Sequence, residues 1–118
     1  MKTLRIGIAS YEQMKARTRA IAHGKHRREA GEPRVWFTSL ESLAKVLSAG
    51  NRDLLRMIAK TAPESLQDLA ETAGREKSNL SRTLKTMEHY GLVHLERKQG
   101  RLIPRVRHDR VSLELPLK

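Results

Sequence analysis

Between residues 77 and 90, a helix turning by about 100° per residue would place Ser78, Arg82, Lys85 and His89 on one stripe and Leu80, Leu84 and Met87 on the opposite one. Asn79, Ser81 and Thr86 flank the polar stripe, and the acidic Glu88 falls to its side. Amide, hydroxyl and guanidinium groups on one helical face are the donors and acceptors that read base edges and phosphates in a major groove. In that chemistry Ser78, Asn79, Ser81 and Arg82 face base edges, while Lys77 and Lys85 meet phosphates. Shortly after this stretch, Lys98, Arg101 and Arg105 surround a glycine-containing turn and suit phosphate contact as well.

Other chemistry finds little support. With no cysteine, the chain has no disulfide, thiolate metal site or cysteine nucleophile. His23 and His26 are one helical turn apart, but no Cys and no well-placed Asp completes a metal site, and His89, His94 and His108 are scattered. Ser42 and Lys45 match an S-x-x-K spacing without the other parts of an acyl-transfer site. All seven glycines are isolated, so no phosphate-cradling loop is present. The expectation is a non-enzyme with no metal and no cofactor.

Charge points the same way as the helix face. The 118 residues carry 24 Lys and Arg against 13 Asp and Glu, a net charge of +11, and the pI is near 10.7. An anionic polymer is therefore the leading partner. Residues 1–50 hold ten basic and four acidic side chains, residues 51–76 four and five, and residues 77–110 nine and three, so two basic blocks flank a nearly neutral one. The four aromatic residues, Tyr11, Trp36, Phe37 and Tyr90, are too few to build stacking platforms for single-stranded bases. No apolar run approaches the roughly 18 residues of a membrane span, and the N-terminus lacks the apolar core of a signal peptide, so a cytoplasmic protein without membrane contact is expected.

The elements that must position these groups can be read from periodicity and caps. Leu4, Ile6 and Ile8 alternate as in a half-buried strand. Ser10 with Gln13 forms a capping box for a helix whose Tyr11, Met14, Thr18 and Ile21 share one face, ending near His23 or Gly24. The basic run 25–34 reads as a loop, Val35–Phe37 as a strand, and Thr38 with Glu41 as the cap of a helix carrying Leu40, Leu43, Ala44 and Leu47, closed by Gly50. Asn51 is the expected cap of the next helix, with Leu54, Leu55, Met57, Ile58 and Ala62 inward and Pro63 ending it. Ser65 with Asp68 starts a short helix bearing Leu66, Leu69, Ala70 and Ala73, and Gly74 supplies the turn into the 77–90 helix, which Gly91 and Leu92 close. Strands 93–97 and 101–106 flank Lys98, Gln99 and Gly100, and Pro104 marks the second as an edge. Val111, Leu113 and Leu115 form a last strand whose alternation suits pairing with Leu4, Ile6 and Ile8.

Two helices, a glycine turn, a third helix and a basic hairpin are the order of a winged helix-turn-helix, in which the third helix enters the major groove and the hairpin follows the backbone. The expected class is α+β: a β-α-β-α extension over 1–50 for dimerisation or partner binding, a winged helix-turn-helix over 51–110, and a C-terminal strand over 111–118. The runs Ser65-Leu-Gln-Asp-Leu-Ala-Glu-Thr-Ala-Gly and Lys77-Ser-Asn-Leu-Ser-Arg-Thr-Leu-Lys-Thr-Met-Glu-His-Tyr-Gly-Leu-Val resemble the MarR/ArsR-type winged-helix transcriptional regulators over residues 51–106. Arg75 and Glu76 depart from that pattern, which has an apolar residue and a Ser or Thr cap there. The Arg5-Ile-Gly-Ile-Ala-Ser start and Val35-Trp-Phe-Thr-Ser-Leu-Glu-Ser-Leu also resemble a group of short prokaryotic predicted regulators often encoded beside a small toxin as its antitoxin.

The resemblance implies a repressor that binds double-stranded DNA as a homodimer, autoregulates its operon and neutralises a toxin partner. The alternative is a sequence-neutral nucleoid or RNA-binding protein, which the charge favours and the scarce aromatics disfavour.

Overall fold

The structure, a computed structural model, describes residues 2–24 and 32–117; of the basic run 25–34, residues 25–31 lie outside the described residues. The chain forms two compact units, one of residues 46–109 and the other of residues 3–45 with 110 onward. The architecture is α+β, with a winged helix in the first unit and a three-stranded sheet in the second.

In the sheet-bearing unit, strand β1 (Lys2–Ile8) buries Leu4, Ile6 and Ile8 as their alternation requires. Helix α1 (Tyr11–Ala22) starts on the expected capping box, Ser10 Oγ accepting from the Gln13 amide and Gln13 Oε1 from the Ser10 amide. It leads to β2 (Val35–Phe37), which pairs parallel with β1, Ile6 opposite Val35 and Ile8 opposite Phe37. Parallel neighbours need a crossover, and α1 is that crossover. The sheet order is β2-β1-β5, where β5 is His108–Glu114, so the C-terminal strand does join β1.

The apolar face expected on α1 differs from the one found. No residue of α1 is buried, and Tyr11 is 64% exposed with Lys15 Nζ 4.5 Å from its ring centre. The half-buried positions are Met14, Arg17, Ala20 and Ile21. An arginine occupies the inward stripe because its guanidinium lies 5.1 Å from the Trp36 ring and forms an ion pair with Glu32, so its charge is compensated while its stem packs. Trp36 in turn covers Gly7: a Cβ there would stand 2.5 Å from Trp36 Cζ3.

Helix α2 (Leu40–Val46) starts one residue later than the Thr38 cap implied, because Ser39 Oγ accepts from the Ser42 amide at 3.1 Å. It ends at Val46, and Gly50 does not close it but lies in the first turn of α3 (Ala49–Thr61). The cap of α3 is Ser48, whose hydroxyl accepts from the Asn51 amide, so Asn51 is displaced from the expected role. Its side chain instead donates to the Val46 carbonyl at 3.0 Å and accepts from Arg75 Nη1 at 3.2 Å. Pro63 follows the end of α3 as expected, but Ala62, expected on the inward face, is exposed and lies past the helix end in the left-handed region at φ 45°, outside the α region that the residue before proline avoids.

Helices α4 (Leu66–Ala73) and α5 (Lys77–His89) follow, capped at Ser65 and joined through Gly74 at φ 67°. Leu54, Ile58, Leu66, Leu69, Ala70, Leu80, Leu84, Met87, Leu92, Val93 and Leu95 form this unit's core. The hairpin β3 (His94–Lys98) and β4 (Arg101–Arg105) packs β3 on α5 and β4 on α3 and α4. Lys98 belongs to β3 rather than to the turn, and Gln99 and Gly100, at φ 51° and 74°, make a two-residue turn of the type I′ kind.

Gly7→Ala should overpack the Trp36 contact and destabilise the protein by about 1–3 kcal/mol in thermal melts, with Trp36→Leu in the same chain recovering part of the loss. An unchanged melting temperature for the single variant would contradict this packing.

Candidate nucleic-acid interface

The outward face of α5 follows from its inward one. Leu80, Leu84 and Met87 are each 0% exposed, which fixes the rotation of the helix about its axis and turns Lys77, Ser78, Asn79, Arg82 and Lys85 to solvent. Ser81 sits half-buried at the margin of that face. Thr86 Oγ1 donates to the Arg82 carbonyl at 3.2 Å and is less available to a ligand.

The start of α5 has Glu76 in the cap position with no side-chain hydrogen bond. Arg75, at a position where an apolar residue is usual, is half-buried and its guanidinium spans to the start of α3: Nη1 meets Asn51 Oδ1, and Nη2 would be 3.4 Å from a Cβ on Gly50. The arginine that departs from the pattern of the resemblance is thus a tether between the turn and α3. The far end of α5 closes with Leu92 N–H on the Met87 carbonyl, Gly91 N–H on the Glu88 carbonyl and Gly91 at φ 77°, a glycine-closed helix end that leads straight into β3.

Glu88 has a specific place in this geometry. Its Oε2 accepts from the Leu95 amide at 3.3 Å, so the carboxylate that would repel phosphate is turned to the hairpin strand. The cations are left uncompensated: among the described residues, none of Lys77, Arg82, Lys85, Lys98 and Arg101 forms an ion pair. Arg56 and Asp53, both exposed on α3, are paired with each other.

In the hairpin, Lys98 and Arg101 face each other across the turn, and Glu96 with Ile103 and His94 with Arg105 follow on the same face. Leu95 and Pro104 are buried on the other face. Residues flanking a two-residue turn form a hydrogen-bonded pair and the pairs then alternate, so Pro104 falls where no N–H is required. A groove of about 470 Å³ runs between the hairpin tip and the helix starts, lined by Ser65, Leu66, Gln67, Asp68, Lys77, Gly100, Arg101 and Leu102. It brings Lys77 and Arg101 together.

Arg105 is placed differently from the other two hairpin cations. Its Nη1 donates to the Pro63 carbonyl at 2.8 Å and to the Pro104 carbonyl at 2.9 Å, and the residue is half-buried. It clamps β4 to the α3–α4 connection. Two groups lay outside the sequence expectation, Arg97, exposed on β3, and Gln67, at the first turn of α4 in the groove. Arg97 shares a strand face with Leu95, two residues away, and was signalled only by its place beside the basic turn; Gln67 had no signal beyond its place after the Ser65 cap.

The sequence model of the HVO_A0114 family matches residues 46–113. No curated protein matches the chain. Among solved structures, a predicted DNA-binding transcriptional regulator from E. coli is similar at 20% identity, covering 85% of this chain and 86% of that one, with a TM-score of 0.49.

Arg105→Ala should cost about 1–3 kcal/mol by leaving the buried Pro63 carbonyl without its donor. Lys98→Ala and Arg101→Ala, exposed and unpaired, should stay within about 0.5 kcal/mol of the parent in urea unfolding. Equal stability of all three variants would remove the distinction between clamp and surface cation.

Proposed function

The chain belongs to the HVO_A0114 family, and we propose that it is a sequence-specific binder of double-stranded DNA that regulates transcription. The observation that carries this reading is the outward face of α5, where Ser78, Asn79, Arg82 and Lys85 stand exposed with no ion pair among the described residues, beside a carboxylate turned elsewhere. In this reading α5 enters the major groove, with Arg82 and Asn79 on base edges and Ser78 and Ser81 orienting them. Lys77, Lys85, Lys98 and Arg101 neutralise phosphates, and the groove shared by Lys77 and Arg101 follows the backbone. Arg105 acts on DNA only indirectly, by holding β4 in place.

The finer reading is a repressor acting as a two-fold homodimer at its own operon, and the antitoxin of a neighbouring toxin, as the resemblance to short regulators encoded beside toxins implies. A dimer on two half-sites requires them about one helical turn apart, ~10 bp, or a multiple of it. A sequence-neutral nucleoid or RNA-binding protein would need neither the Arg82 and Asn79 side chains held on a rigid helix nor a two-fold axis. It would instead use stacking aromatics, of which Tyr90 alone lies in the winged-helix unit.

Two variants test the division of labour. Arg82→Ala should lose about 1–3 kcal/mol of preference at one or two base pairs, measured by titrating single-substitution operators. Lys98→Ala should weaken specific and random duplex alike and reduce the slope of log K against log salt by about 1. Losses that are equal on specific and random DNA for both variants would defeat the assignment.

A further inference from the structure

We propose that β5 is the surface on which two copies of this chain associate, pairing antiparallel with β5 of the second copy about a two-fold axis at Ser112. The proposal rests on the homodimer reading above and gives it a location.

In the order β2-β1-β5, one side of β5 is hydrogen-bonded to β1 and the other side is the edge of the sheet. An edge strand presents a row of unpaired N–H and C=O groups, and edges that stay single are usually short or carry proline or charged side chains, lysine above all. This strand is seven residues long and has neither proline nor lysine, and its charges, Asp109, Arg110 and Glu114, are of both signs. From Asp109 to Glu114 every residue is exposed, and Val111, Leu113 and the adjoining Leu115 are 39%, 44% and 45% exposed. Among the described residues no strand pairs with this edge, and the three-residue apolar row beside it is a surface that a further strand would cover.

The order of residues in β5 identifies that neighbour as a second β5. Two identical strands related by a two-fold axis keep odd-numbered residues on one face and even-numbered ones on the other, so the register changes in steps of two. With the axis at Ser112, Arg110 stands opposite Glu114 of the second copy and Glu114 opposite its Arg110, while Val111 stands opposite its Leu113 on the other face. Opposite charges and apolar pairs directly across two strands are each stabilising, and here each occurs twice by symmetry. Moving the axis to Val111 sets Asp109 against Leu113, and moving it to Leu113 sets Arg110 against Pro116. The Ser112 axis leaves Asp109 opposite Leu115, but of the three it alone sets both Arg110 and Glu114 against an opposite charge. The two sheets then join as β2-β1-β5-β5-β1-β2.

Charge reversal tests the register. Arg110→Glu and Glu114→Arg each oppose like charges twice across the axis and should raise the dimer dissociation constant in sedimentation equilibrium about tenfold. The double variant R110E/E114R should restore it. Within one chain the two side chains are separated by about 13 Å of strand, beyond a Debye length of about 8 Å at physiological salt, so the rescue reports contact between copies. Ser112→Cys, the sole thiol in a chain without cysteine, should form a disulfide-linked dimer on mild oxidation. Directly opposed Cα atoms lie about 4.5–5.5 Å apart, within disulfide reach, whereas Val111→Cys faces Leu113 and should link far more slowly.

A dimer whose dissociation constant ignores both reversals and whose Ser112→Cys form does not link would overturn the β5 surface and leave the homodimer reading intact. A chain that is monomeric at tens of micromolar would overturn both.

Discussion

The burial of Leu80, Leu84 and Met87 is the constraint on which the candidate interface depends. A helix has one rotation about its axis, and three side chains removed from water along one stripe set it. Burying a Leu or Met side chain is worth about 1.5–3 kcal/mol, so turning α5 enough to hide its polar stripe would forfeit several kcal/mol. The exposed row of Ser78, Arg82 and Lys85 is thus a consequence of the core. The same logic sets the hairpin: Leu95 and Pro104 face inward, which leaves Lys98 and Arg101 at the tip.

Around this core the polar groups divide into those that hold the scaffold and those left free. Glu88, Arg75 and Arg105 look like surface charges in a one-dimensional reading, yet each is committed to a backbone or side-chain partner that fixes a junction: α5 to β3, the turn to α3, and β4 to the α3–α4 connection. Lys77, Arg82, Lys85, Lys98 and Arg101 have no such commitment among the described residues. A site that positions charge for an anionic partner needs that separation, because a cation already paired with a carboxylate gains little from a phosphate. The second unit makes a different contribution, a sheet with an apolar edge in place of a cationic face.

Signals that act over three or four residues were the legible part of the fold. The Ser10–Gln13 box, the Ser65 cap, the left-handed glycines 74 and 91 and the alternation of β1 are local, and the structure contains each of them. The errors arose where neighbouring residues compete for one role. Thr38 and Ser39, and likewise Ser48 and Asn51, are all competent caps, and tertiary contacts chose Ser39 and Ser48, with Asn51 engaged by Arg75. The α1 stripe was missed because an arginine on an inward face reads as polar until its partners, Trp36 and Glu32, come together from distant positions. For the candidate site, helix-face arithmetic gave the outward rotation of Ser78, Asn79, Arg82 and Lys85 but not the half-burial of Ser81, and it could not tell a clamping arginine such as Arg105 from an exposed one such as Arg101.

Competition between the DNA immediately upstream of the gene and random duplex, at about 150 mM salt, tests the central claim most directly. A rigid α5 face that reads base edges predicts a preference of roughly a thousandfold or more for the specific site. A preference below tenfold would mean that the charge binds phosphate without reading sequence, and would contradict the account.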